Sequence, residues 1–339
     1  MKLFVTGGAG FIGSNFILYM LDKYPHYEIV NYDKLTYAGN LENLKTVENN
    51  PNYKFVRGDI LNYELLDLLL KDVDVIVHFA AESHVDKSIL GAEEFVRTNV
   101  LGTYTLLEAA KNNKVKRFHH VSTDEVFGSL TLDSKNKFFE DTPYNPRSPY
   151  ASSKAAADHL ARAYYETYRL PATISNCSNN YGRYQFPEKL IPLFVTNLIE
   201  DKKVPLYGDG QNIRDWIHVK DHCSAIDAIL HKGKIGETYC VGGNNEISNI
   251  SLTKKILEHM GQAEDMVEYV ADRPGHDRRY AIRSYKAMAE LNWRPEYGFD
   301  EGLRQTIDWY MENEDWWRRV KSGEYQKYYD EWYGHKLAI

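Results

Sequence analysis

The chain has 339 residues, 43 % of them apolar and 26 % charged, with a formal net charge of −7. That is an ordinary balance for a globular protein with a large core and one to three domains, and with no long basic run it argues against nucleic acid as a partner. No apolar stretch approaches the ~20 residues of a membrane span, and Cys177, Cys223 and Cys240 show neither CxxC spacing nor a paired framework, which points to a reducing cytoplasm and away from a metal site.

Leu3, Phe4 and Val5 read as a short buried strand, so no signal peptide is expected ahead of the fold. Glycines follow at 7, 8, 10 and 13, and Phe11, Ile12, Phe16, Ile17 and Met20 then recur at helical spacing. A strand, a turn without side chains and a helix start make the opening of a dinucleotide site: the backbone can approach a pyrophosphate, and the free N–H groups of the helix start face it. Residues 28–32 are expected as the second strand. Asp33 at its end, twenty residues after Gly13, can accept hydrogen bonds from ribose hydroxyls and repel a 2′-phosphate, which favours NAD over NADP.

A third strand is expected at 53–57. Asp59 then reads equally as an adenine contact or as the N-cap of a helix at 63–70. A fourth strand at 73–79 ends at Ala80-Ala81, small enough for a ligand to lie close. The apolar spacing over 92–112 predicts one long helix, and 118–122 a fifth strand. This βαβα alternation predicts a doubly wound parallel Rossmann-type α/β sheet with ligands at the carboxyl ends of its strands.

Thr123-Asp124-Glu125 falls at such an end. Two adjacent carboxyl groups that are partly desolvated are pushed toward different protonation states, so that one can act as acid and the other as base. Tyr150 and Lys154 share a face of the next helix, expected to run to about residue 168. There the ammonium is expected to lower the tyrosine from its usual ~10 and to reach the nicotinamide ribose.

A sixth strand is expected at 172–176, after which the character changes. The reading places an NAD-binding domain at 1–180 and a smaller mixed α/β substrate domain at 181–339. Helices are expected at 189–200 and 221–230, and a strand at 238–241 that returns to the first sheet. Arg214 is placed on a loop at 207–216. With Arg273, Arg278 and Arg279 of a second polar loop it is a candidate clamp for a diphosphate. Trp309, Trp316, Trp317 and the aromatics at 325–333 read as helix packing.

TGGAGFIGSN (6–15), AAESHVDKS (80–88), STDEVFG (122–128), YASSK (150–154), NCSNNYG (176–182), YGDGQNIRDW (207–216) and DRPGHDRRYAI (272–282) together resemble the extended short-chain dehydrogenase/reductase superfamily. Within it they are similar to the dTDP-glucose 4,6-dehydratase family. The resemblance spans residues 2 to about 310. YxxxK identifies only the superfamily, whereas Thr-Asp-Glu with DRPGHDRRY is far more specific.

The resemblance implies a hydro-lyase that forms dTDP-4-keto-6-deoxyglucose from dTDP-glucose with bound NAD. Thr123 would hold the sugar 4-hydroxyl, Tyr150 with Lys154 would serve the oxidation, Asp124 would be the acid at O6 and Glu125 the base at C5. It implies cofactor contacts from Gly7, Gly10, Phe11, Ile12, Gly13, Asp33, Lys34, Thr36, Asp59, Ile60, Ala80, Ala81, Thr98, Tyr150, Lys154 and Asn180. The nucleotide sugar would meet Ser83, Thr123, Asn179, Lys189, Leu190, Arg214, Asn249, Arg273 and His276. A homodimer through helices 92–112 and 150–168 is also implied. Lys87, Arg183 and Arg283 stand where the family pattern has Arg, Pro and Asp.

Rival readings are a GDP-mannose 4,6-dehydratase, a 4-epimerase, a UDP-glucuronate decarboxylase and a non-catalytic NAD-binding sensor. The epimerase and the decarboxylase need no adjacent acid and base for water loss. The intact Tyr150/Lys154 pair argues against the sensor.

Overall fold

Leu3, Phe4 and Val5 are all wholly buried, and they point alternately to opposite faces of a sheet. Leu3 and Val5 join Phe16, Ile17 and Met20 on one face, while Phe4 joins Leu66, Leu106, Leu107 and Phe118 on the other. Burying one such side chain contributes roughly 1.5–3 kcal/mol, so a strand apolar on both faces belongs in the middle of a helix-covered sheet. The computed structural model, which describes residues 1–322, places it there.

The central sheet contains β1 (Lys2–Thr6), β2 (Glu28–Asp33), β3 (Tyr53–Arg57), β4 (Val75–His78), β5 (Arg117–Thr123), β6 (Ala172–Cys177) and the strand Thr238–Val241. All its pairings are parallel, and the order runs Thr238–Val241, β6, β5, β4, β1, β2, β3. The order therefore reverses beside β1, and the crevice outside the carboxyl ends opens at that switch point. Helix Val219–Lys232, which precedes the returning strand, packs on helix Phe11–Lys23, so the later part of the chain re-enters the first layer.

The helix expected over 92–112 is not uniform. Glu93–Phe95 and Thr103–Asn112 are α-helical, but Val96–Gly102 is a π-turn. The hydroxyls of Thr103 and Thr105 donate to Asn99 O (2.6 Å) and Leu101 O (2.9 Å) within it. The Asn99 side chain meanwhile bonds both backbone groups of Glu82 and the Ser153 hydroxyl. Local side-chain bonds of this kind compete with the regular ladder, and π-turns gather at functional sites. Here the turn presents Thr98 to the crevice.

A second region is built on the mixed sheet Glu246–Ser248, Ile213–His218, Asn179–Tyr181 and on the parallel pair Val204–Tyr207 with Val267–Val270. Helices Leu190–Ile199, Asn249–His259, Phe299–Glu312 and Glu314–Lys321 surround its own core. Trp309, Trp316 and Trp317 pack there as expected, and Trp316 Nε1 donates to Asn43 Oδ1 at 3.0 Å, tying the last helix to the first region. The aromatics at 325–333 lie outside the described residues.

Candidate active site

The glycine turn is shaped by contacts that exclude a side chain. Gly7 has φ +69°, and a Cβ there would sit 2.6 Å from Ala80 N; a Cβ on Gly13 would sit 2.3 Å from Gly7 O. Gly7→Ala is expected to cost about 1–2 kcal/mol for the left-handed backbone alone and more for the clash with the end of β4. The expected outcome is a lower unfolding temperature and purified protein stripped of dinucleotide. Wild-type stability and cofactor content in that variant would refute this reading of the turn.

Every residue expected at the cofactor lines one open groove of about 1650 Å³ that runs from this turn across the strand ends. Asp33 is buried at the groove wall, where its oxygens accept from Leu35 N (2.8 Å) and Ala9 N (2.9 Å). Burial pushes its carboxyl up, against those two bonds. Each oxygen keeps a further lone pair for a donor such as a ribose hydroxyl. Asp59 is not a helix N-cap: Asn62 caps Tyr63–Leu69, and Asp59 pairs with Lys34 Nζ at 2.8 Å. A cradle that excludes Cβ atoms at one end, an acid in the middle and a Tyr/Lys pair at the far end together fit a dinucleotide.

Ser148 caps the helix Pro149–Tyr168 by accepting from Ala151 N, with Pro149 at its first position, so its inner face is set from the first turn. Tyr150 and Lys154 on that face are both buried. The ammonium donates to Val121 O at 2.8 Å and lies 3.5 Å from His120 Nε2. The expected lowering of the tyrosine does not occur. Burial first, and then the charge of Glu125, push the Tyr150 phenol well above its usual value, against a hydrogen bond from Thr123. Burial likewise pushes Lys154 down.

Thr123 ends β5, and its hydroxyl accepts from Glu125 N at 3.2 Å, which starts the short 3₁₀ turn Asp124–Phe127. The two acids diverge there. Asp124 is 1 % exposed and lines neither cavity, and among the described residues its Oδ2 has no hydrogen-bond partner. Burial, then Glu125 and Asp215, push it well above the usual carboxylate range against the charge of Arg214, and so favour its protonated form. Glu125 lines the groove and also a second cavity of about 990 Å³, and so stands at their junction. Burial raises it too, but Arg273, Arg214 and Lys189 oppose that. A neutral acid beside a carboxylate held among cations is a ready donor–acceptor pair.

The second cavity takes in Ser83, Asn179, Lys189, Leu190, Arg214, Asn249, Arg273 and His276, every residue expected at the nucleotide sugar except Thr123, which lines the groove. Arg214 lies on strand Ile213–His218 rather than on a loop. Its guanidinium donates to Ile213 O (2.8 Å) and Asp277 O (3.0 Å), over the Tyr280 ring. Arg273 Nη1 donates to Asp86 at 2.9 Å, and Lys189 Nζ to Ser83 O at 2.9 Å. His276 is bonded to Asp272 at 2.6 Å, and burial with the nearby arginines pushes it down, to about 3. Oδ1 of Asn179 and of Asn249 are buried at this cavity without hydrogen-bond partners among the described residues.

Of the four arginines expected as a clamp, only Arg214 and Arg273 line the second cavity. Arg278 turns outward to Asp209, while Arg279 stays buried against Glu246 and the backbone of Ser134 and Asn136. Lys87, Arg183 and Arg283 line neither cavity. They pack respectively on Glu188 and Tyr37, on Asn15, and on Phe139 with Tyr285.

Gln185, Glu188, Trp216 and Tyr280 line the second cavity but were not expected there. Gln185 and Glu188 also line the groove. Glu188, beside Lys189, Trp216, inside YGDGQNIRDW, and Tyr280, inside DRPGHDRRYAI, carried a sequence signal, and it was adjacency alone.

The family described as GDP-mannose 4,6 dehydratase matches residues 4–306. The chain is similar to the dTDP-glucose 4,6-dehydratase of Escherichia coli, with 46 % identity over 98 % of this chain and 99 % of that protein. It is also similar to the dTDP-glucose 4,6-dehydratase of Bacillus anthracis solved in complex with NAD, at 54 % identity and TM-score 0.89 over 95 % of this chain and 100 % of that one. For the Streptomyces venezuelae enzyme with NAD bound, the identity is 51 % and the TM-score 0.93 over the same shares.

Proposed function

We propose, for a chain that belongs to the dTDP-glucose 4,6-dehydratases within the GDP-mannose 4,6 dehydratase family, that it converts dTDP-glucose to dTDP-4-keto-6-deoxyglucose with NAD as resident cofactor. The observation that carries this is Glu125 at the junction of the groove and the second cavity, with the buried Asp124, whose carboxyl burial pushes up, beside it.

Water loss from C5–C6 of a hexose is difficult because the C5 hydrogen is not acidic; a ketone at C4 makes it so, since the carbanion becomes an enolate. NAD, in the groove, supplies the two-electron acceptor and donor that no side chain here can provide. Tyr150 takes the proton of the 4-hydroxyl, and Thr123 holds that oxygen. Lys154 supplies positive charge beside the phenol, favouring the phenolate that burial disfavours. Glu125 removes the C5 proton, and Asp124 gives its own to the C6 hydroxyl, which leaves as water. After reduction at C6, a proton returns to C5, so atoms and electrons balance with only water lost.

Arg273, Arg214 and Lys189 are assigned to the diphosphate, with Asn179, Asn249 and His276 at the rest of the nucleotide sugar. The chain then divides by role near residue 180, with 1–180 and the strand Thr238–Val241 holding the cofactor and 181–339 the substrate.

Two further assignments belong to this reading. A homodimer through the helical stretch from Glu93 to Asn112 and the helix Pro149–Tyr168 is supported by Val96, Leu101, Tyr104 and Tyr168, large apolar side chains left exposed there. Sedimentation returning a monomer at working concentration would refute it. A cytoplasmic location is supported by three free, buried cysteines, and cell fractionation checks it.

Side-by-side incubation with dTDP-, UDP- and GDP-glucose and GDP-mannose, watching for the alkali-induced chromophore of a 4-keto sugar, tests the function. The product is expected from dTDP-glucose first. Turnover of GDP-mannose alone would overturn the substrate, and no turnover of any sugar the reaction.

A further inference from the structure

A buried polar chain stands directly behind Lys154, and the mechanism above leaves it unused. The ammonium has almost no solvent contact and one carbonyl acceptor, Val121 O. His120 Nε2, 3.5 Å from Nζ, is also 3.1 Å from Asp158 Oδ1. Asp158 lies one helical turn beyond Lys154 on the same helix, and both Asp158 and His120 are entirely enclosed. Its other oxygen accepts from the Tyr144 hydroxyl (2.8 Å) and Asn176 Nδ2 (3.1 Å). The same Asn176 amide reaches Thr123 O at 3.2 Å, at the end of β5.

The ring can serve only one neighbour at a time. Facing an ionised carboxylate at 3.1 Å, Nε2 must carry the proton, since a lone pair there would be repelled. Nδ1 is then a bare acceptor; among the described residues it has no hydrogen-bond partner, and Asp158 Oδ1 has none beyond the 3.1 Å approach of Nε2. A buried ammonium needs a negative neighbour, and Lys154 makes no ion pair among the described residues. Asp158 is the carboxylate whose field favours its charged form. Burial alone would raise Asp158, but the bond from His120 and the charge of Lys154 keep it below its usual range.

We propose that Asp158, acting through His120, is a positioning pair that keeps the Lys154 ammonium charged and in place beside Tyr150, and that through Asn176 it also fixes the strand end bearing Thr123. The proposal rests on the dehydratase reading for its kinetic consequence but not for its electrostatics. Lys154 is faced by His120 and Cys177 from β5 and β6 and by Tyr150 and Asp158 from its own helix. Asp158 also meets Ser122 and Tyr144, and His78 faces the His120 ring from β4 at 5.3 Å. His78 and Cys177 stay neutral, the first pushed well down and the second up to about 12, both by burial. Asp158 is therefore the group whose removal changes the charge at Lys154.

Lysine labelled with ¹³C at Cε, its Lys154 resonance identified with Lys154→Arg, follows the ammonium through its titration in the holoenzyme. Losing a negative neighbour disfavours the ammonium, so it sheds its proton at lower pH. Asp158→Asn and His120→Leu are each expected to move the Lys154 titration, and the alkaline limb of kcat, down by about one pH unit, with kcat lower by about tenfold and KM within about twofold. His120→Gln, whose amide can still donate toward Asp158, is expected to keep the wild-type titration. An unmoved Lys154 resonance in Asp158→Asn and His120→Leu overturns the proposal, as does an equal shift in His120→Gln. If Asp158→Asn does not fold, the two His120 variants decide. The resonance reads the pair whichever sugar nucleotide is turned over, so failure of the pair and failure of the substrate assignment are separate results.

Discussion

Glu125→Gln is expected to lower turnover by about 10²–10⁴-fold, the usual share of one general base, and to stop exchange of the sugar's C5 hydrogen with solvent deuterium while the nicotinamide is still slowly reduced. The split follows from position. Glu125 faces both cavities, whereas the groups assigned to the first oxidation, Tyr150 and Lys154, lie in the groove on another element. Glutamine keeps the shape and the backbone cap from Thr123. It also removes a charge that raises Tyr150, so the oxidation step should lose nothing on that account. Normal C5 exchange in this variant would take Glu125 out of its role as base.

Tyr150→Phe is expected to abolish the reaction one step earlier, with nicotinamide reduction down by about 10³–10⁴-fold. Phenylalanine retains the edge contact with Phe95 and the buried ring, so the fold should survive. What disappears is the group that takes the 4-hydroxyl proton. Because burial and then the charge of Glu125 hold this phenol well above its ordinary value, positive charge from Lys154 and the bound cofactor is needed to make it a base. Lys154→Met should therefore resemble Tyr150→Phe in the oxidation step. Unchanged nicotinamide reduction in Tyr150→Phe would remove the residue from the mechanism.

Much of the cofactor side was legible because its determinants are local. A glycine turn, the acid ending the next strand and a Tyr/Lys pair one helical turn apart each follow from a few consecutive residues, and the structure gathers them in one groove. The second cavity was legible as a set of residues mainly through the family resemblance. Its assembly depends on topology, with contributions from Ser83 after β4, Asn179 after β6, Arg214 on a strand and Arg273 on a loop.

Where the reading went wrong, a distant partner or burial decided. Arg278 and Arg279 read as equals of Arg273, yet Asp209 and Glu246 claim them from elsewhere in the chain. The π-turn at Val96–Gly102 follows from two threonine hydroxyls and from Asn99 reaching Glu82, which helical periodicity does not register. The tyrosine shift failed because spacing places an ammonium on the same face but says nothing of the desolvation it must overcome. Gln185 gave no signal, since a loop amide becomes a cavity wall only through packing.

The central claim is that C4 is oxidised for the sake of C5, and that the hydrogen taken from C4 ends on C6 of the same sugar. dTDP-glucose carrying deuterium at C4, turned over in ordinary water and analysed by mass spectrometry and NMR, tests it directly. The account predicts the deuterium in the new methyl group at C6. A methyl group free of it, with the label lost to solvent, would contradict the account.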